Sequence, residues 1–167
     1  NELSSSAHYG RLTIELNGTA SASTPWLVTV ESGSNRIFQQ PVGTGLTIDT
    51  LSDWKHYGFV LQNSGSDFHI KLYVNGELND TEVVSSKTIS EINPKNLIGR
   101  LGALQTAPQA LEDESKIANY SGAGKLSGSL DEFRFWKSAR SAKEIGRNWF
   151  TQVRGGVNTD ISNTTLG

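Results

Sequence analysis

The segment Leu-Asp-Glu-Phe-Arg-Phe-Trp at Leu130–Trp136, followed by Ser-Ala-Arg-Ser-Ala-Lys-Glu-Ile at Ser138–Ile145, decides the fold. The first segment predicts a strand. The second predicts a short helix, because Ser141 can cap it and Glu144, three residues later, completes a capping box. We therefore expect a strand that leads into a single short helix near the end of the sequence.

Upstream, apolar residues alternate with polar ones, which predicts half-buried antiparallel strands. The alternating sets are Leu12, Ile14 and Leu16; Trp26, Val28 and Val30; and Phe68, Ile70, Leu72 and Val74. Asn75-Gly76 closes the last set with a strong hairpin signal, because both central positions of a type I′ turn need positive φ. Glu77–Val84 should return beside that strand, with Trp54–Leu61 as its other neighbour and Asn96–Arg100 as a further strand. Many short strands with one helix predict an all-β antiparallel sandwich of two sheets.

Composition limits the domain count and the partners. The chain has 167 residues, 35% of them hydrophobic, which is enough for one domain spanning residues 1–167 with its own core. Fifteen basic and seventeen acidic residues give a net charge of −2, and no dense Lys/Arg run is present, so nucleic acid is not an expected partner. No apolar run approaches the roughly 20 residues that span a bilayer, so we expect no membrane insertion.

The candidate binding residues lie in loops. Trp26 follows a run of small residues, Ala20–Pro25, and is expected at a rim of the sandwich, where its ring can contact a ligand. Leu101–Gly124 shows neither helix nor strand period and predicts one long loop that carries Tyr120 as a second ligand-binding candidate. The other tryptophans, Trp54, Trp136 and Trp149, are expected to fill the core.

The same loop contains three adjacent carboxylates, Glu112, Asp113 and Glu114. Several carboxylates within reach of one point are what Ca²⁺ requires from its six to eight oxygen ligands. A calcium site formed by Asp113 with Glu112 or Glu114 is therefore one interpretation. The other is that this charged segment is simply solvated.

Four segments in a fixed order resemble the laminin G-like and pentraxin-like branch of the concanavalin A-like lectin/glucanase superfamily. They are Trp54–Val60, Leu72–Gly76, Ile98–Arg100 and the strand and helix of Leu130–Ile145. The resemblance covers about residues 9–150 and implies a jelly-roll sandwich. In pentraxin-like relatives an acidic loop between the last two of these segments holds calcium. The Glu112–Glu114 triplet lies in the corresponding interval, although the acidic-amide-acidic pattern of those relatives is missing.

Two features indicate a larger parent protein. Members of this branch usually begin with a strand pair that nothing in Asn1–Gly10 supplies, which predicts either a piece of a longer polypeptide or a reduced sandwich. Asn148–Val153, followed by Gly155–Asp160, is also similar to repeated β-sandwich units in structural proteins of marine bacteriophages. An extracellular or virion-surface location, beside other domains of the same chain, follows as an expectation.

The functional hypothesis is a non-catalytic lectin-like adhesion module that binds a glycan or a protein surface through its loops. One alternative is an architectural or oligomerising domain of a phage structural protein. A glycoside hydrolase is a further alternative, but Asp131 and Glu132 are adjacent on a strand and would point to opposite faces, whereas a sandwich-fold glucanase carries alternating acids on one face. With no cysteine and no nucleophile motif, the sequence predicts no enzymatic activity.

Overall fold

The computed structural model describes residues 10–17, 24–32, 35–47, 51, 53–90, 99, 101–102, 126 and 128–151. Within these ranges two antiparallel three-stranded sheets form, which confirms the predicted all-β fold. The strands are β1 (Gly10–Leu16), β2 (Trp26–Ser32), β3 (Asn35–Val42), β4 (Tyr57–Ser64), β5 (Asp67–Val74) and β6 (Glu77–Val84). Their order is β1-β2-β3 in the first sheet and β4-β5-β6 in the second.

The core lies between the two sheets and follows the alternation along the strands. Val28 and Val30 of β2 face inward, and Phe68, Ile70 and Leu72 of β5 meet them from the second sheet. Burying each such side chain stabilises the fold by about 1.5–3 kcal/mol relative to leaving it in water. The remaining buried apolar members of this core are Ile37, Val42, Leu46 and Ile89.

The hairpin predicted at Asn75-Gly76 is present between β5 and β6. Asn75 has φ 50° and Gly76 has φ 84°, the two positive values that a type I′ turn needs. Beside the turn the register of β6 shifts by one residue, between the pairs Leu72–Asp80 and Tyr73–Leu78. This bulge lies where β6 approaches the end of β3, and the side chains around it join the two sheets.

The two sheets are joined at the edge where β3 lies near β6. The amide side chain of Asn79 accepts a hydrogen bond from the Thr44 backbone N–H (3.0 Å) and donates one to the Thr44 carbonyl (3.1 Å). Asp80 Oδ2 accepts a hydrogen bond from the Gly43 N–H at 2.7 Å. Further along, Gln40 Nε2 donates to Glu82 Oε2 at 3.3 Å. Polar bonds therefore fix this edge, while apolar contacts fill the interior.

The predicted helix is α1, Ala142–Asn148, and its capping box is confirmed. The Ser141 hydroxyl accepts a hydrogen bond from the Glu144 N–H, and the Glu144 carboxylate accepts one from the Ser141 N–H at 2.8 Å. Ile145 and Trp149 are the half-buried side chains of this segment, and both approach the second sheet near Gly58 and Gly76. The helix therefore packs on the β5–β6 turn.

Two sequence-based predictions are wrong. Leu130–Trp136 joins neither sheet among the described residues, because Glu132 has φ 52°, which interrupts an extended run. Trp54 does not fill the core and is 73% exposed, because β4 begins only at Tyr57. Trp136 and Trp149 are half-buried, the former beneath the Arg140 guanidinium at 4.0 Å.

Two further predictions fall on residues outside the described ranges, and one observed strand was not predicted. The expected strand Asn96–Arg100 and the loop Leu101–Gly124 lie almost wholly outside them. Strand β3 was not predicted, because Asn-Arg-Ile-Phe-Gln-Gln-Pro-Val at Asn35–Val42 lacks regular alternation and contains a proline. No helix in the described part of the chain is long and apolar enough to cross a membrane.

Candidate functional site

The first sheet has a polar face, on the side opposite the core. It consists of Arg11, Thr13, Glu15, Leu27, Thr29, Glu31, Arg36, Phe38, Gln39 and Pro41, which alternate with the inward-facing residues. Residues opposite each other on neighbouring strands form rows across this face. The first row is Arg11, Glu31 and Arg36, in which one carboxylate lies between two guanidinium groups.

The ion pair in that row is well shielded. Arg36 Nε lies 2.6 Å from Glu31 Oε1, and the two side chains are only 17% and 9% exposed. The Arg36 guanidinium also lies over the Phe38 ring, 4.7 Å from its centroid. These contacts hold Arg36 flat against the sheet, so this end of the polar face is rigid.

The middle row contains a β-bulge. Val28 pairs with Gln40 and Val30 with Ile37, so Thr29 faces both Phe38 and Gln39. Gln39 has φ 45°, which is unusual for a residue with a side chain. Its N–H donates to the hydroxyl of Thr29 at 3.0 Å, and Thr29 is fully buried. The threonine therefore replaces the ladder partner that the bulge removes.

The bulge directs the Gln39 side chain across β2 toward β1. Gln39 Nε2 donates to Glu15 Oε2 at 3.4 Å, a long hydrogen bond. On the same face Arg11 Nε donates to the Thr13 hydroxyl at 3.0 Å. The third row, Glu15, Leu27 and Pro41, adds two apolar side chains beside this polar pair. Thr13, Thr29 and Glu31 on this face are buried. Its accessible part is therefore limited to half-buried side chains, such as Arg11 and Gln39, and the exposed Pro41.

Trp26 lies at the start of β2, but on the core-facing side of the sheet. Its ring is half-buried and contacts Tyr57 (centroids 5.0 Å apart) and Phe59 (5.3 Å, edge to face). Burial raises the pKa of the Tyr57 hydroxyl above its ordinary value. The structure does not bring Trp26 onto the polar face, and a ligand contact by Trp26 remains a prediction.

The remaining sequence-predicted site residues lie outside the described ranges. Tyr120 and the acidic triplet Glu112–Glu114 belong to this group, so calcium binding there also remains a prediction. Among the residues that the structure does describe, no group of three or more His, Asp or Glu side chains is arranged to hold a metal ion.

Asp131 and Glu132 participate in local structure. Asp131 Oδ1 accepts a hydrogen bond from the Glu132 N–H at 2.9 Å, and the Glu132 carboxylate pairs with Arg134 at 3.2 Å. Arg134 in turn donates to the carbonyls of Asn148 and Thr151, just after α1. These contacts tie the Asp131–Arg134 segment to the helix end.

His56 lies where α1 meets the second sheet. The backbone N–H of His56 donates to Asn75 Oδ1 at 2.9 Å, and the His56 ring centroid is 6.3 Å from that of Trp149. Burial, and to a lesser extent the positive charge of Arg134, lower the pKa of His56 below 6.5. Folding therefore favours the neutral form of this imidazole at the junction between hairpin and helix.

An exposed apolar set accompanies this region. It consists of Leu130, Phe133, Phe135 and Phe150, each 60–65% exposed. Large exposed apolar side chains are typical of surfaces that another molecule covers.

Sequence reasoning missed the polar face. Two of its three strands show the pattern in the sequence. Arg11, Thr13 and Glu15 alternate with the apolar residues of β1, and Thr29 and Glu31 alternate with those of β2. The row partners on β3 depend on the bulge at Gln39, which has no local signature.

Comparison with a protein-family model supports the fold. The family model described as the concanavalin A-like lectin/glucanases superfamily matches residues 3–146. No curated protein matches the sequence. Among solved structures, an S-layer domain-containing protein from Clostridium thermocellum is similar at 18% identity, with a TM-score of 0.37. That match covers 84% of this chain, which spans only 63% of the solved one.

Proposed function

This chain belongs to the concanavalin A-like lectin/glucanase superfamily, and from that premise we propose that it is a non-catalytic recognition module. It binds a glycan or a protein surface as one domain of a larger extracellular or virion-surface protein. Its ligand contacts the polar face of the first sheet. A rigid sheet that presents fixed polar groups suits recognition, because little side-chain entropy is lost on binding.

The observation that carries this proposal is the half-buried group Arg11, Glu15 and Gln39 beside the exposed Pro41. Arg11 and Glu15 balance in charge, and all three side chains are planar hydrogen-bonding groups. Such groups match the closely spaced hydroxyls and amides of glycans and peptides. Their charge balance gives no preference for a strongly charged partner.

The same contacts support a binding role rather than hydrolysis. A glycosidase needs two carboxyl groups flanking one bond, one of them protonated as the acid. Glu31 is instead ion-paired with Arg36, and Glu15 accepts a hydrogen bond from Gln39. Further ligand contacts are proposed at the loop residues Trp26 and Tyr120, and calcium at Glu112–Glu114.

A binding experiment tests the proposal. The purified domain is titrated with soluble polysaccharides by calorimetry, with and without calcium, alongside the double variant Arg11→Ala with Glu15→Ala. A matched control is Glu77→Ala, an exposed glutamate on β6 of the other sheet. The proposal expects binding to the wild type and the control and at least about tenfold weaker binding to the double variant, since two hydrogen bonds to charged groups are lost. Equal affinity of all three proteins would place the ligand elsewhere.

A second function is favoured by the exposed apolar set. An architectural or oligomerising domain would cover Phe133 and Phe135 with another copy or a neighbouring domain. Light scattering on the isolated domain tests this. The double variant Phe133→Ser with Phe135→Ser should then dissociate the oligomer, whereas Leu78→Ser, an exposed apolar residue on β6, should not. If the wild type remains monomeric at every concentration tested, the oligomerising function is ruled out.

A further inference from the structure

We propose that two copies of this chain associate through β1, which pairs antiparallel with β1 of the second copy about a two-fold axis at Thr13. The first sheets of the two copies thereby become one six-stranded sheet in the order β3-β2-β1-β1-β2-β3. This dimer goes beyond the proposed function, which concerns binding by a single copy. It also uses a different surface from the exposed apolar set near α1.

The core-facing side of β1 is partly open. Leu12 pairs with Val30 and Ile14 pairs with Val28, so these four apolar side chains lie on the same face of the sheet. Val28 and Val30 are 0% and 5% exposed, whereas Leu12 is 41% and Ile14 is 37% exposed. The core therefore ends between β2 and β1, and β1 keeps two neighbouring apolar side chains in contact with water.

The backbone of β1 is suited to pairing with a further strand. Within the part of the chain that the structure describes, β1 pairs with β2 alone, so no other described strand uses its outer edge. The register with β2 is regular over all seven residues, from Gly10 to Leu16. A regular edge strand without a proline or a bulge is a template to which another strand can add.

The other three edge strands carry features that hinder such an addition. β3 contains Pro41 and the bulge at Gln39, and β6 contains a bulge and three acidic side chains. At the end of β4, the Asn63 side chain accepts a hydrogen bond from the Ile89 N–H and donates one to the Ile89 carbonyl. β1 is therefore the edge strand on which a second copy fits best.

The sequence of β1, Gly-Arg-Leu-Thr-Ile-Glu-Leu, matches itself when one copy is reversed. Antiparallel pairing centred on Thr13 places Leu12 opposite Ile14 of the second copy and Arg11 opposite Glu15 of the second copy. A two-fold contact forms each pair twice, because residue i meets j and j meets i. Four partly exposed apolar side chains thus meet at the axis and connect the two cores.

The charges of β1 agree with this register. Arg11 and Glu15 already have hydrogen bonds within their own sheet, and the pairing requires of them only that opposite charges face each other. Like charges directly opposite would destabilise neighbouring strands. Centring the pairs on Leu12 or Ile14 would place Arg11 opposite Thr13 or Asn17, both neutral. The contact uses the backbone edge and the core-facing side chains, and none of the buried side chains of the polar face.

The two-fold arrangement also limits the size of the assembly. Pairing covers the β1 edge of both copies and leaves β3 at each end of the six-stranded sheet. The proline and the bulge of β3 hinder the addition of a further strand there. The expected species is therefore a discrete dimer rather than a filament.

Sedimentation velocity over a range of protein concentrations tests the dimer. The wild type is compared with Leu12→Lys combined with Ile14→Lys, and the control is Leu78→Lys combined with Val83→Lys, at two exposed apolar residues of β6. We expect a concentration-dependent dimer for the wild type and the control. The β1 variant should need at least about tenfold more protein for half-dimerisation, because four ammonium groups meet at the axis. Thermal unfolding measures whether each variant is folded.

Mixtures of single variants test the register and use smaller changes to β1. Leu12→Lys mixed with Ile14→Glu brings an ammonium group opposite a carboxylate. Leu12→Lys mixed with Leu12→Glu instead leaves each charge opposite the apolar Ile14 of the other copy. The first mixture should form heterodimers more tightly, by up to about fivefold.

Three results would overturn the proposal. A wild type that stays monomeric at every concentration would reject the dimer and leave recognition by a single copy intact. A dimer that the Phe133→Ser and Phe135→Ser double variant dissociates, and that the β1 double variant leaves unchanged, would place the contact at the exposed apolar set. Equal association in the two mixtures would reject the register centred on Thr13.

Discussion

The indole of Trp149 occupies the space where a side chain at Gly76 would lie. A Cβ built on Gly76 would overlap the Cδ1, Nε1 and Cγ atoms of that ring. Gly76 also has φ 84° in the turn between β5 and β6. Position 76 therefore requires glycine for two separate reasons. The backbone there has positive φ, and the Trp149 ring leaves no room for a side chain.

Replacing Gly76 by alanine should cost stability through both effects. An L-residue at positive φ costs about 1–2 kcal/mol, and displacing the indole adds an overpacking cost of about 1–3 kcal/mol. Gly65→Ala is the matched control, because Gly65 has φ 62° in the β4–β5 turn with nothing within 4 Å of the added Cβ. Urea unfolding of both variants should show the larger loss for Gly76→Ala. Equal losses would mean that the Trp149 contact contributes nothing.

His56 should make the stability of the domain depend on pH. Its folded-state pKa lies below the ordinary value of 6.5, chiefly through burial and secondarily through Arg134. The neutral form is therefore favoured by folding, and this contribution is present above pH 6.5 and lost as the pH falls through 6.5 toward the lowered pKa. His56→Gln should flatten the fall in unfolding free energy over that window.

The Arg134→Gln variant separates the two causes of that dependence. Burial is the larger one, so removing the positive charge should reduce the slope less than His56→Gln does. Thermal unfolding at several pH values below 7 measures both. A slope that Arg134→Gln abolishes and His56→Gln leaves unchanged would contradict this assignment.

The capping box predicts a local effect on α1. Ser141→Ala removes the hydroxyl that accepts from the Glu144 N–H, and loss of such a cap costs about 1 kcal/mol. Hydrogen exchange at the amides of Ile145 and Trp149 should quicken, since both donate or accept within this helix. Ser141→Asp, which retains a capping oxygen, should exchange as the wild type does. Faster exchange in both variants would show that the cap is not responsible.

A substitution in the core should lower the free energy of unfolding far more than the same substitution at the surface. Leu72 is fully buried between the sheets, and Leu72→Ala should cost about 2–5 kcal/mol. Leu78→Ala makes the same change on β6, where the side chain is 54% exposed, and should remain within about 0.5 kcal/mol of the wild type. A small cost at Leu72 would mean that the two sheets do not pack as described.

Local signals in the sequence predicted local structure well. The Asn75-Gly76 pair and the Ser141–Glu144 box each act through nearby backbone groups, so the hairpin and the helix start where the sequence places them. The prediction that Trp54 fills the core was wrong, because aromatic character indicates a preference for burial but not the residue at which a strand begins. Prediction is therefore most secure where the deciding atoms are close in sequence.

The candidate site depends on residues far apart in sequence. Gln39 meets Glu15 only because β3 pairs with β2, β2 pairs with β1, and the bulge at Thr29 sets the register. No short segment encodes that arrangement. The predicted candidates Tyr120 and Glu112–Glu114 lie outside the described residues, so their roles rest on the sequence alone.

Hydrogen bonds between the Asn79 and Asp80 side chains and the backbone of Thr44 and Gly43 make one edge of the sandwich mechanically stronger than the other. They clamp the β3–β6 edge, whereas β1 and β4 lie at the opposite edge of their sheets. A tensile load that separates the sheets would thus meet its main polar resistance at the clamped edge and open the β1 side first. Such a clamp keeps the two sheets in register under shear.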